Sequence, residues 1–170
     1  MSNNESLFSN TLLKEPRVDN DNIEFRSLEI TDYEKGFSEV LQQLTEAKFE
    51  KSKFIERYLQ MKQYNDTYFV IVAEDKSSGK IVAAGSLIVE KKFIRGVTSC
   101  GHIEDIVVDK TYRGKNLGLK IIQQLKHLGK IMGCYKLILD CDEKNEKFYA
   151  KNGFERKAIM MAVYLPTPKL

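Results

Sequence analysis

Gly101-His-Ile-Glu-Asp-Ile-Val-Val-Asp-Lys-Thr-Tyr-Arg-Gly-Lys-Asn-Leu-Gly118 is the stretch on which the reading of the fold turns. Residues 99–108 read as a strand by their apolar and β-branched content, and 111–118 as a loop that opens a helix. In that helix Leu117, Ile121, Leu125, Leu128 and Met132 recur at helical spacing with Ile122 beside them, so one face is apolar and has to be covered. Gly133 ends it, and residues 135–140 read as a buried strand. A strand, loop, amphipathic helix and second strand form a β-loop-α-β unit, the building block of a sheet flanked by helices. The same turn directs several backbone N–H groups and the positive end of the helix at one spot, a nest suited to a di- or polyphosphate. Arg113 and Lys115 add charge there, and Gly114 and Gly118 allow a ligand close to the backbone. The run is neither a Walker A loop nor a GxGxxG fingerprint, and a solvated strand-to-helix connection is the other reading of the same residues.

Working outward, residues 1–22 are rich in Asn, Ser, Asp and Glu and read as a flexible arm able to pack Leu7, Phe8, Leu12 and Leu13 on the body. Residues 23–170 read as a single domain. Residues 23–27 form a short strand, and Thr31 or Asp32 can cap a helix carrying Tyr33, Phe37, Val40, Leu41 and Leu44, with Glu34 at the third position if Thr31 is the cap. A second helix carries Phe54, Ile55, Tyr58, Leu59 and Met61. Residues 68–74 and 80–90 are strands joined by the turn at Ser77-Ser-Gly79, and 91–98 is a loop. After the central unit come a short helix at 144–151, closed by Asn152-Gly153, and a terminal strand at 157–165. The order is β-α-α-β-β-β-α-β-α-β, an α/β fold.

The chain has 170 residues with 27 Lys and Arg against 24 Asp and Glu, a net charge of +3. That is one domain of ordinary size, and too weak an imbalance to argue for a nucleic-acid or membrane surface. Three cysteines, Cys100, Cys134 and Cys141, match no zinc or CxxC spacing and read as reduced thiols. Neither His102 nor His127 makes a metal site at these spacings, and a Cys100–His102 nucleophile rests on nearness in sequence alone. The first residues lack a signal-peptide pattern and no run is long enough to span a membrane, so a cytoplasmic protein is expected.

The loop at Arg113-Gly-Lys-Asn-Leu-Gly118 resembles the acetyl-CoA pyrophosphate loop of the GNAT N-acetyltransferases, Arg/Gln-x-x-Gly-x-Gly/Ala, with Asn116 at the middle glycine. Gly101-His-Ile-Glu-Asp-Ile-Val-Val108, Tyr112-Arg-Gly114, Gly133-Cys-Tyr-Lys-Leu-Ile-Leu-Asp-Cys-Asp-Glu-Lys-Asn145 and Lys147-Phe-Tyr-Ala-Lys-Asn-Gly-Phe154 together resemble the eukaryotic branch that acetylates glucosamine 6-phosphate. The resemblance implies the GNAT acyl-CoA N-acyltransferase fold, a mixed, splayed sheet between helices with CoA in the opening. It implies transfer of acetyl from acetyl-CoA to the 2-amino group of D-glucosamine 6-phosphate, in UDP-N-acetylglucosamine biosynthesis, with no metal. Acetylation of another primary amine, or acetyl-CoA binding without catalysis, stay open as rival readings.

By the same resemblance Glu104, Asp105 and Tyr149 are the catalytic residues. The two acids serve the amine, and the tyrosine meets the departing thiolate. Neighbours on a strand face opposite ways, so Glu104 and Asp105 share a task only if a bulge intervenes. Backbone groups of Ile106, Val107 and Val108, the loop residues Arg113, Gly114, Lys115, Asn116, Leu117 and Gly118, and Asn145 and Tyr149 would hold CoA. Thr31, Lys92, Phe93, Ile94, Arg95, Glu104, Asp105, Tyr135, Lys136 and Asp140 would bind the sugar phosphate. Arg95 replaces the histidine of the family's Lys-Phe-Ile-His segment, and Tyr164 stands near where the family offers an arginine to the partner's substrate. The resemblance also implies a homodimer in which residues 158–165 reach the neighbouring subunit.

Overall fold

A computed structural model describes residues 6–166, in two compact units that meet in the chain at Leu139 and Asp140. The first unit is built on a five-stranded sheet in the order β1-β2-β3-β4-β5. Its strands are β1 (Ile23–Ser27), β2 (Tyr68–Asp75), β3 (Lys80–Lys91), β4 (Ser99–Val108) and β5 (Cys134–Ile138). The first four pair antiparallel and β4 pairs parallel to β5. Consecutive residues of β2 and β3 are buried, so both faces of the sheet's centre are covered. α1 (Phe37–Leu41) and α4 (Leu117–Ile131) both pack on β3, and α2 (Lys51–Lys62) packs on the 3₁₀ turn Ile30–Tyr33. Of the apolar stripe read from the sequence, Leu117, Ile121, Ile122, Leu125 and Leu128 are fully buried in α4, while Met132 caps its end and is only partly buried.

Of the arm residues, Leu7, Phe8 and Leu13 are buried, and the Phe8 ring meets Phe69 edge-on at 5.2 Å. Gln124 of α4 clamps the arm, accepting from the Lys14 N–H and donating to its carbonyl, both at 2.8 Å. Residues 1–5 of the arm and 167–170 of the expected domain lie outside the described residues.

A buried ion network joins β1, β2 and the turn between β1 and α1. Arg26 donates to both carboxylate oxygens of Asp32 at 2.6 and 2.8 Å and to Glu74 at 2.5 and 3.0 Å, and Lys35 reaches Glu74 at 3.0 Å. Burial alone would raise the Glu74 carboxyl, but hydrogen bonds and charge from Arg26 and Lys35 hold it at about 2.

Several local expectations need correction. The single helix expected from Tyr33 to Leu44 is split: Glu29 caps the 3₁₀ turn Ile30–Tyr33, whose third residue Asp32 accepts from the Glu29 N–H at 2.8 Å, and α1 starts separately after Gly36, so neither Thr31 nor Asp32 is a cap. Residues 91–98 are not all loop but contain a helical turn, α3 (Ile94–Val97), broken by left-handed Arg95, Gly96 and Val97. β5 ends at Ile138 and is an edge strand, so it is only partly covered, and Asp140 is exposed instead of ending a buried strand.

In the second unit a 3₁₀ turn at Glu143–Asn145 leads into α5 (Glu146–Lys151), closed by Asn152 and by Gly153 at φ +85°. The expected strand at 157–165 is absent among the described residues. Its sequence is apolar enough for a strand, but a strand needs a ladder partner, and here Ile159, Met161 and Tyr164 are 90% exposed or more.

Candidate active site

The centre of the site is a bulge in β4. Glu104 pairs with Ser86 and Val107 with Ala84, so Asp105 and Ile106 together oppose the single residue Gly85. Asp105 absorbs the extra length at φ +53°, in a region that Asp enters more readily than most side chains. The bulge decides where the acids stand. A Cβ on Gly85 would strike Ile106 and Ile121, so this side of the sheet faces α4. Ile103, paired with Leu87, lies on that side too. An unbroken strand would therefore turn Asp105 onto the apolar face of α4. The bulge gives that place to Ile106 and leaves Asp105 exposed beside half-exposed Glu104.

The sheet opens at the same point. Parallel pairing between β4 and β5 runs from Ser99 with Cys134 to His102 with Ile138 and stops. Beyond it residues 103–108 continue as strand against β3 alone, so their other edge offers backbone N–H and C=O groups to a ligand. Ile106, Val107 and Val108 lie along this edge.

It leads directly to the loop at 113–118. Gly114 has φ +87° and open space where a Cβ would stand, and Asn116 caps α4 at φ +58°. The first N–H groups of this long helix have no intrahelical acceptor, and with its dipole they favour an anion. Lys115 lies over the Tyr112 ring at 5.6 Å. Two anchors that the sequence reading did not find hold the loop. The Tyr112 hydroxyl donates to Asp75 at 2.6 Å. That bond, followed by those from Ser77 and Ser78, holds the Asp75 carboxyl at about 2. Gln43, just after α1, donates to Asp109 at 2.6 Å and accepts from the Lys110 N–H at 2.8 Å. The Asp-Lys-Ser-Ser-Gly run at 75–79 announces a turn, but nothing local tells which residue it will hold.

A basic cluster forms at the other end of β4 and β5. Arg95 lies over the Tyr135 ring at 5.4 Å and Lys136 at 5.5 Å. Lys92, just past the end of β3, is ion-paired with Glu90 at 2.5 Å. Phe93 and Ile94 are exposed next to them. Arginine, lysines and an aromatic face together suit a phosphate carried on a ring. Thr31 lines a different hollow of about 450 Å³ with Ile30, Glu34, Lys35, Lys51 and Ile55, none of them among the expected site residues.

Asp140, Asn145 and Tyr149 belong to the second unit. There the half-buried Tyr149 ring packs edge-on against Phe148 at 5.1 Å and Phe154 at 6.1 Å. Burial, then the nearby Cys141 and Asp140, push its phenol up, so it stays protonated at neutral pH.

With the geometry in place, comparison with known proteins gives consistent likenesses. Residues 29–154 match the model of the acetyltransferase (GNAT) family. The chain is 64% identical over 148 residues to glucosamine 6-phosphate N-acetyltransferase 1 of Dictyostelium discoideum, covering 87% of this chain and 94% of that protein. The crystal structure of glucosamine-6-phosphate N-acetyltransferase from Arabidopsis thaliana superposes with a TM-score of 0.82 at 45% identity, over 85% of this chain and 99% of that one. A Trypanosoma brucei acetyltransferase superposes with a TM-score of 0.78 at 37% identity, over 84% and 99%.

Proposed function

This chain belongs to the acetyltransferase (GNAT) family, and from that premise we propose that it moves the acetyl group of acetyl-CoA onto the 2-amino group of D-glucosamine 6-phosphate. The observation that carries this reading is the 64% identity to the Dictyostelium enzyme over almost all of that protein's length.

The reaction forms a C–N bond at the thioester carbonyl and breaks the C–S bond. The amine must lose a proton, the carbonyl oxygen must be held while negative, and the thiolate must gain a proton. Glu104 and Asp105, the latter kept off the α4 face by the bulge, hold the amine and take its proton. Backbone groups of Ile106, Val107 and Val108, where β4 is paired to β3 alone, hold the acetyl and pantetheine arm. The loop at 113–118 binds the pyrophosphate through the free N–H groups of α4 and through Arg113 and Lys115. Tyr149, kept protonated by its surroundings, hands its proton to the thiolate, and Asn145 supports the CoA arm. Lys92, Arg95, Tyr135 and Lys136 take the sugar phosphate, with Arg95 able to form two hydrogen bonds to it, and Asp140 takes a sugar hydroxyl.

The exposed apolar residues from Ile159 to Leu165 support a homodimer in which this segment completes a strand ladder on the partner. The free cysteines support a reducing compartment, the cytoplasm. The product is one that UDP-N-acetylglucosamine biosynthesis consumes.

The test is CoA thiol release by purified protein offered glucosamine 6-phosphate, glucosamine or a lysine peptide. Release confined to the phosphorylated sugar, with a raised KM for it in Arg95→Ala and Lys136→Ala, is the expected result. Equal rates with glucosamine, or release only with the peptide, would overturn the proposal.

A further inference from the structure

The hairpin of β3 and β4 brings together three side chains that the mechanism does not use. Cys100 and His102 are two residues apart on β4 and so share a face of the sheet, and Glu90 stands directly across from Cys100 in the β3 register. One donor atom from each, the Cys100 sulfur, a His102 ring nitrogen and a Glu90 oxygen, lies within 4.8 Å of the other two. His102 Nε2 and Glu90 Oε2 are 2.8 Å apart, a hydrogen bond that an ion between them would replace by a modest separation of the two atoms.

We propose that Glu90, Cys100 and His102 bind a single zinc ion, with a fourth position open toward solvent. The donor set argues for zinc: thiolate, imidazole and carboxylate are its three protein ligands, and their mixture of soft and hard atoms suits neither calcium nor magnesium. Three protein ligands with one open position are what zinc takes outside closed structural sites. The setting adds to this. Cys100 is fully buried, and its sulfur has a long hydrogen-bond contact of 4.0 Å to the Gly101 carbonyl. Glu90 and His102 reach the surface above it, giving an ion a route in from solvent. The hairpin fixes two of the ligands in cross-strand register and the third one pleat away, so little ordering is left for the ion to do. Glu90 has an oxygen for each neighbour, since Lys92 takes Oε1 and His102 meets Oε2. A zinc ion replacing the contact at Oε2 leaves the Lys92 ion pair standing.

The site is independent of the acetyl-transfer reading and is tested without it. Metal-free full-length protein is titrated with zinc against a chromophoric chelator, and separately with cobalt, whose thiolate complexes show a near-ultraviolet charge-transfer band. One equivalent of zinc and a cobalt–thiolate band are expected. His102→Gln and Glu90→Gln, both on partly exposed side chains, should each weaken binding at least about tenfold. Cys100→Ser should abolish the cobalt band, and Cys141→Ser should leave both readouts unchanged. Circular dichroism checks that each variant is folded. Failure to bind zinc, binding that His102→Gln and Glu90→Gln leave intact, or a cobalt band lost in Cys141→Ser would each overturn the proposal.

Discussion

Replacing Arg26 by Met tests how β1 is held on the sheet that carries the site. The guanidinium makes two hydrogen bonds to Asp32, two to Glu74 and one to the Ser27 carbonyl at 3.0 Å, and Arg26, Asp32 and Glu74 are each 5% exposed or less. Removing one partner of a buried ion pair leaves the others uncompensated, at a cost of about 3–5 kcal/mol. The lower end is expected, because Lys35 still reaches Glu74 at 3.0 Å and the Glu29 N–H still reaches Asp32. In a chain of this size the loss lowers Tm by about 6–20 °C. The pH dependence adds a sign. Glu74 is held at about 2 in the folded protein against an ordinary 4.5, so its contribution is fully present above pH 4.5 and lost as pH falls toward 2. At neutral pH it is worth about 3 kcal/mol. Wild type and Arg26→Met should therefore differ most near pH 7 and converge toward pH 3. Urea unfolding followed by circular dichroism measures both. A loss under about 1 kcal/mol at pH 7, or a difference that does not narrow in acid, would refute the reasoning.

Other expectations concern the site itself. Asn116→Gly keeps the left-handed cap and should leave the KM for acetyl-CoA within about twofold, whereas Asn116→Val forces a β-branched residue to φ +58°, costs about 1–2 kcal/mol and raises that KM. Tyr112→Phe removes the hydrogen bond to Asp75, worth about 1.5–3 kcal/mol when the acceptor is charged, and should raise the KM for acetyl-CoA while leaving that for the sugar alone. Tyr149→Phe should lower kcat about 10²-fold or more if the phenol protonates the thiolate, without changing acetyl-CoA affinity measured by calorimetry.

The parts legible in the sequence are those governed by short-range pattern. The stripe from Leu117 to Leu128, the strand at 99–108 and the left-handed residues around α4 follow from helical spacing, β-branched content and the conformational freedom of Gly and Asn. What was not legible depends on partners distant in the chain. Alternation along a strand separates Glu104 from Asp105. Only the register against Ser86 and Ala84 reveals the bulge that keeps Asp105 off the α4 face, and no local feature marks it beyond an Asp able to take positive φ. Cys100 and His102 look like a weak pair until β3 brings Glu90 across. Tyr112 and Gln43 anchor the segment leading into the 113–118 loop through contacts 37 and 66 residues apart in sequence. Residues 157–165 show the converse: strand propensity is plain there, but a strand also requires a ladder partner, and among the described residues this segment pairs with none. At Asp140 a run of apolar residues suggested burial, while β5 lies at an edge of the sheet.

The central claim is acetyl transfer to a particular nitrogen, and the most direct measurement is NMR of the product made from glucosamine 6-phosphate and acetyl-CoA labelled at the acetyl carbonyl. A labelled amide carbonyl coupled through nitrogen to the proton on sugar carbon 2, appearing at the rate of CoA release, is the expected result. CoA release without that amide, or label on a hydroxyl instead of the amine, would contradict it.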